Sequence, residues 1–154
     1  ASQQTGAVVA SHTIGEQAIR REVEVLDRAG QDLRRFIWVH AHTVVGTAVH
    51  IEIAQRGVWL EFDAIGADQW TSQPVLLDSV ITLIEAGYAD QLLLSHDAGW
   101  YDPAQPDGIP QPDGIRGYTA LFDHFIPALR TRGVTDAVID QITIANPARA
   151  FALA

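Results

Sequence analysis

Short apolar runs alternate with amphipathic stretches along most of this chain. The run Ala7 to Ala10 ends in Ser11-His12-Thr13, and Glu16 to Ala29 then spaces Ile19, Val23 and Leu26 three or four residues apart. That pattern predicts a strand followed by an amphipathic helix. Gly30 stops the helix, and Phe36-Ile37-Trp38-Val39 is a second apolar run, ending in His40. A short helix over Thr47 to Gln55, closed by Gly57, precedes a third strand, Val58 to Phe62, ending in Asp63. Pro74 fits the first turn of a helix carrying Leu76, Leu77, Val80, Ile81 and Ile84. After Gly87, Gln91 to Leu94 reads as a fourth strand ending in Ser95-His96-Asp97.

The rhythm breaks between Ala98 and Gly117, where Pro106-Asp107-Gly108-Ile109 is repeated as Pro112-Asp113-Gly114-Ile115. A loop of this length inside a domain is usually a lid or binding loop, and residues 98–117 are read here as a substrate loop within one partial domain spanning 1–154. Two helices are predicted beyond it, Tyr118 to Thr131 and Thr135 to Ala145. The second is expected to stop at Asn146-Pro147, because the residue before proline disfavours helix.

Strands alternating with helices imply a parallel α/β sheet, either doubly wound or a (β/α) barrel. His12, His40, Asp63 and Asp97 each fall at the carboxyl end of a different strand, the face where barrels place their chemistry. Ser11-His12-Thr13-Ile14-Gly15 is no glycine-rich phosphate loop of the kind an open dinucleotide-binding sheet carries after its first strand. The barrel is therefore preferred, and four strand–helix units are half of eight.

Composition narrows the function. Ten Lys+Arg against 19 Asp+Glu give a net charge of −9, the wrong sign for gripping nucleic acid or anionic membranes, and no apolar run is long enough to span a bilayer. Cysteine is absent, which excludes thiol chemistry and Cys-based metal sites, agrees with a reducing compartment, and makes the cytoplasm the expected location. Lysine and methionine are absent too, and the missing initiator suggests a fragment or processed chain.

Any metal must then be held by imidazole and carboxylate. His12 and His40 are candidate ligands, and Asp97 can both ligate and accept a proton from bound water. His42 lies two residues past His40, on the same face if the strand persists, as a rival ligand or a group behind one. Asp63 is placed to orient a ligand. Trp70, Trp100 and Tyr101 sit in strand-end loops and are candidates for lining a substrate pocket. His96 should point into the strand–helix packing, and His50 and His124 read as surface or groove residues on helices. A serine nucleophile lacks its Gly-x-Ser-x-Gly elbow.

Ser11-His12-Thr13, Val39-His40, Trp59-Leu60-Glu61-Phe62-Asp63, Leu92-Leu93-Leu94-Ser95-His96-Asp97, Phe125 to Arg130 and Asn146-Pro147-Ala148-Arg149 resemble, in that order, the second half of the phosphotriesterase family. This family includes the phosphotriesterase-like lactonases and belongs to the amidohydrolase superfamily. The resemblance implies strands five to eight of a (β/α)8 (TIM) barrel with a binuclear centre, zinc being the expected ion. By the same resemblance His12 and His40 serve the more exposed ion. Asp97 serves the more buried one and handles the proton of a metal-bound hydroxide that attacks a lactone, carboxylic ester or phosphotriester.

The sequence departs from the family pattern at two places. Ala64 follows Asp63 where the well-known phosphotriesterases have a histidine, and Ala41-His42-Thr43 replaces acidic residues after the strand-six histidine. A lactone or carboxylic ester is thus the expected small-molecule substrate rather than an organophosphate. The family's strand-one His-x-His pair and strand-four carboxylated lysine have no counterpart here, so this chain alone should be inactive. A homodimer is expected of the full-length protein. The alternatives are a non-catalytic half barrel holding at most one metal and a mononuclear amidohydrolase such as a deaminase.

Overall fold

A computed structural model describes residues 2–99, 104 and 117–153. After a short helix α1 (Ser2–Thr5), which the hydrophobic pattern gave no hint of, the chain runs β1 (Val9–His12), α2 (Glu16–Arg28), β2 (Phe36–Val39), α3 (Ala48–Ala54), β3 (Trp59–Phe62), α4 (Gln73–Glu85) and β4 (Leu92–Leu94). The strands form one parallel sheet in the order β1-β2-β3-β4. Chain order and spatial order coincide, so the sheet has no reversal of the kind that defines a doubly wound fold. Among the described residues no helix is long and apolar enough to cross a membrane.

The two sheet faces are set by strand alternation. Trp38, Leu60, Phe62 and Leu92 are fully buried toward the helices, against Ile19, Val23, Ile53, Val80 and Leu83. Ile37, Trp59 and Leu93 point the other way into a smaller cluster with Ala150, flanked by Val8 and Val39. The register Ala10 opposite Ile37, Ile37 opposite Trp59 and Glu61 opposite Leu93 carries this second face across the sheet.

The carboxyl-terminal helices differ from expectation in one respect. Pro147 does not end its helix: α6 (Asp136–Asp140) passes through a wide turn over Gln141–Ala145 into α7 (Asn146–Ala150). The same device precedes Pro127, where a wide turn over Leu121–Phe125 leads into α5 (Ile126–Thr131). Proline has no N–H and its ring clashes with the carbonyl four residues back. Widening the preceding turn to i→i+5 spacing moves that carbonyl away, so the helix continues. Asn146 shows why it must continue. Its Nδ2 donates to the carbonyls of Ala89 and Leu92, each at 2.8 Å, pinning the helix to the start of β4. Arg149 then lies over the Trp59 ring at 5.2 Å.

Candidate metal centre

The site is assembled where the parallel strands end. His12 is the last residue of β1, His40 and Asp63 directly follow β2 and β3, and Asp97 lies just beyond β4. His40 (φ 65°) and Asp97 (φ 43°) are the two described non-glycine residues with positive φ. A left-handed conformation is unfavourable for any residue with a Cβ, and such strain collects where side chains must be aimed. At His40 it breaks the strand alternation and turns the imidazole, which would have followed Trp38 toward the helices, onto the polar face.

The bend at His40 is fastened from both sides. The His40 carbonyl accepts from the Thr43 backbone N–H at 3.0 Å and from the Thr43 hydroxyl at 2.8 Å. His50 lies beneath, its two ring nitrogens each 2.8 Å from a carbonyl oxygen, that of Ala41 and that of Gly46. His50 is fully buried, stacked on Trp38 at 5.1 Å, rather than the surface or groove residue expected of it. A helical position alone does not reveal that the 41–46 loop folds back over it. Burial pushes its pKa down, against the opposing pull of the two carbonyls. His96 behaves as a packing residue: its Nε2 accepts from the Leu121 N–H at 3.0 Å. His124 is exposed.

Three imidazoles converge around one carboxylate. The His12 and His40 rings stand nearly perpendicular with centroids 4.5 Å apart, and His40 and His42 are 5.8 Å apart. Asp63, 3 % exposed at its side chain, lies 2.7 Å from His40 Nδ1 through Oδ2 and 2.8 Å from His42 Nδ1 through Oδ1. Burial pushes the Asp63 carboxyl up, but the two imidazoles beside it, His42 foremost, outweigh burial and hold the pKa below the ordinary value. Asp63 is thus held as a carboxylate between two imidazoles, while the His42 Nδ1–Asp63 Oδ1 approach lacks hydrogen-bond alignment and leaves both atoms buried without a hydrogen-bond partner.

This pairing fits a metal. A histidine that donates Nδ1–H to a carboxylate keeps its lone pair on Nε2, the tautomer and orientation a ligand needs. The donor atoms of His40, His42 and Asp63 all lie within 4.8 Å of one another, close enough to gather an ion. Their Nδ1-to-oxygen spacings are nevertheless hydrogen-bond lengths, whereas a tetrahedral zinc with ~2.0–2.1 Å bonds spreads neighbouring donors to about 3.3 Å. We therefore read Asp63 as the orienting carboxylate and the Nε2 atoms as the metal-facing ones.

His12, Ile14, His40, His42, Thr43, Gln69, Trp70 and Asp97 line a cavity of about 470 Å³, within the range of small-molecule sites. The chain thus brings together the expected ligands, His42 and Trp70. Trp100 and Tyr101, with most of the 98–117 loop, lie outside the described residues. A larger cavity of about 770 Å³, bordered by Ile65, Leu77, Phe125 and Arg132, contains none of these ligands.

Sequence reading missed Glu61 and Ser95. Both lie on the inner face, each two residues before a site carboxylate, and the Ser95 hydroxyl donates to Glu61 Oε1 at 2.9 Å. Burial raises the Glu61 pKa above its ordinary value, the Ser95 bond opposes this, and the charge of Asp63 adds to the rise. The signal was the i, i+2 alternation from Asp63 and Asp97.

Comparison with known proteins extends the geometry. The model of the phosphotriesterase family matches residues 1–151. A phosphotriesterase homology protein of Mycobacterium tuberculosis is 30 % identical over 155 residues, covering 98 % of this chain and 47 % of that protein. The human N-acetyltaurine hydrolase is 27 % identical over 136 residues, 81 % of this chain and 37 % of its own length. The solved organophosphorus hydrolase of Deinococcus radiodurans superposes with a TM-score of 0.81 at 32 % identity, over 98 % of this chain and 47 % of its own. The chain spans about half the length of the relatives it matches.

Proposed function

The chain belongs to the phosphotriesterase family, and on that premise we propose that it supplies strands five to eight of a (β/α)8 barrel whose complete form is a divalent-metal-dependent hydrolase of lactones or carboxylic esters. The observation that carries this reading is the perpendicular His12–His40 pair with Asp63 fixed behind His40, at the carboxyl ends of neighbouring parallel strands. His12 and His40 would hold one ion through imidazole nitrogen, and Asp97 would hold the other through its carboxylate. Zinc is the first candidate.

A divalent ion in this position supplies positive charge to polarise a carbonyl or phosphoryl oxygen and lowers the pKa of water to about 7. The chain's own residues do the rest. Asp63 keeps the proton on His40 Nδ1, so that Nε2 stays a ligand through turnover. The Asp97 carboxylate takes up the proton released at the nucleophile. Trp70, 45 % exposed on the cavity rim, offers an indole face to the apolar part of a substrate. The strand-one histidines and the strand-four lysine that the family resemblance calls for come from outside these residues, since the chain contains no lysine.

The test is metal content by elemental analysis on the intact protein, alongside hydrolysis of a lactone, a carboxylic ester and a phosphotriester. About two ions per chain with lactone or ester turnover supports the reading. His12→Ala and His40→Ala should each lower occupancy, and unchanged zinc in both would remove them as ligands. One ion with turnover would favour a mononuclear amidohydrolase, and none a non-catalytic barrel. A homodimer is the proposed assembly of the full-length protein, to be read by sedimentation.

A further inference from the structure

We propose that the helix-side cavity of about 770 Å³ is an effector site for a protonated apolar amine, whose occupancy strengthens metal binding at the strand ends. The cavity lies between α4 and α5, has the size of a small-molecule site, and among the described residues shares no lining residue with the strand-end cavity. Its apolar lining is Ile65, Leu77, Phe125 and Ala128, with Ile65 and Phe125 buried. Asp68, Asp78, His124 and Arg132 also border it. Arg132 Nη1 donates to Asp78 Oδ1 at 2.8 Å, so these two charges offset. The Asp68 carboxylate makes no hydrogen bond or ion pair among the described residues. One uncompensated carboxylate therefore stands beside an apolar surface. An aromatic or aliphatic ammonium ion complements both, its body leaving water and its N–H groups donating to the carboxylate.

Both walls of this cavity run into the metal centre. One is the segment that follows Asp63, which α4 holds through Gln73: its Nε2 donates to the Ala64 carbonyl at 2.9 Å and its Oε1 accepts from the Gly66 N–H at 3.0 Å. The other is the wide turn over Leu121–Phe125. The Leu121 N–H donates at 3.0 Å to Nε2 of His96, the chain neighbour of Asp97. The walls meet at Gly66 and Ala120, so closely that a Cβ on Gly66 would fall 2.8 Å from the Ala120 Cβ. A molecule seated between them braces the segments that carry Asp63 and Asp97 at once. Whatever it adds to metal affinity, the metal returns to its own, because coupling between two sites is reciprocal. The coupling rests on the metal-centre reading, and the amine site does not.

Calorimetry on the intact, metal-stripped protein compares 1-naphthylmethylamine with 1-naphthoate, at about 0.15 M salt so that the net charge of −9 is screened. The amine should bind about tenfold more tightly, an attraction and a repulsion combined at one exposed carboxylate. Asp68 is exposed, so Asp68→Asn changes its charge without disturbing packing and should bring the ratio close to one. Ala128→Phe fills the cavity and should abolish binding of both compounds. Equal Kd values in the wild type, or a preference that survives Asp68→Asn, would overturn the ligand assignment. Zinc affinity is then measured by chelator competition. Saturating amine should raise it about fivefold in the wild type and leave it unchanged in Ala128→Phe, which also separates the cavity from direct contact of the amine with zinc. Amine binding with unaltered zinc affinity would remove the effector role and keep the metal centre. A protein that takes up no zinc, with or without the amine, would remove the metal-centre reading and the effector role together.

Discussion

The two faces of the sheet are built from the same four strands and do opposite things. Toward the helices, Trp38, Leu60, Phe62 and Leu92 are closed off from solvent and belong to one continuous apolar core. On the inner face the apolar set is short, Ile37, Trp59 and Leu93 near the strand beginnings, and gives way to Glu61, Ser95, His12 and Asp63 toward the strand ends. The outer face can be read residue by residue as transfer of apolar area from water. The inner face cannot, because its polar groups sit against one another, Ser95 on Glu61 and the His40 and His42 imidazoles on Asp63, so that changing one alters the surroundings of its neighbour. Stability and chemistry are thus segregated by strand alternation, with side chains two residues apart sharing a task.

Substitutions on either face test that segregation. The largest effect is expected at Asp97→Asn, which should lower the proposed hydrolysis by the intact protein about 10³- to 10⁴-fold with the circular dichroism spectrum retained; wild-type turnover would remove Asp97 from the reaction. Next in size is Phe62→Ala on the outer face, expected to cost about 3–5 kcal/mol of stability, read from the urea midpoint. A loss below about 1 kcal/mol would show that the helix-side core is not where this sheet draws its stability.

Asp63→Asn should weaken metal affinity about 10- to 100-fold, because a neutral amide loses the charge that holds the His40 and His42 imidazoles in place. Competition with a chelator measures this, and unaltered affinity would leave Asp63 without its orienting role. Trp70→Ala should shift the preference among acyl-chain lengths several-fold, in keeping with the loss of part of one aromatic contact, while metal content stays the same. Identical kinetics across chain lengths in both proteins would reduce the indole to rim packing.

The smallest expected effect is a pH slope at Glu61. Its folded-state pKa lies above the ordinary 4.5, chiefly through burial, so the native state keeps a proton that the unfolded state has released. Stability therefore falls as pH rises from 4.5 through the raised folded value. Glu61→Gln should remove that fall, giving a flatter stability profile by denaturation at a series of pH values. A slope identical to wild type would show that the inner face does not strain this carboxylate.

Much of this was legible in the chain. The strand–helix alternation, the strand-end positions of His12, His40, Asp63 and Asp97, and the terminal Asn146-Pro147-Ala148-Arg149 segment all stand in the sequence as period, boundary and motif. Less legible was whatever depends on contacts between distant segments. His50 reads as an ordinary polar residue on a short helix until the 41–46 loop closes over it. Pro147 reads as a helix stop until Asn146 is seen bound to the carbonyls of Ala89 and Leu92, a reason for the helix to persist that local propensity does not contain.

The sequence by itself determined the parallel α/β architecture and the side of it on which chemistry collects, because hydrophobic periodicity and right-handed crossovers are local rules that hold wherever the chain goes. It also determined that any metal here is held by imidazole and carboxylate, since no thiol exists in the chain. Only the tertiary structure decided the division of labour among the polar residues. Whether a histidine ligates, orients or packs depends on which group faces each ring nitrogen, and those groups come from other strands. Asp63 became the common partner of His40 and His42 through the pairing of β2 with β3 and the left-handed turn at His40.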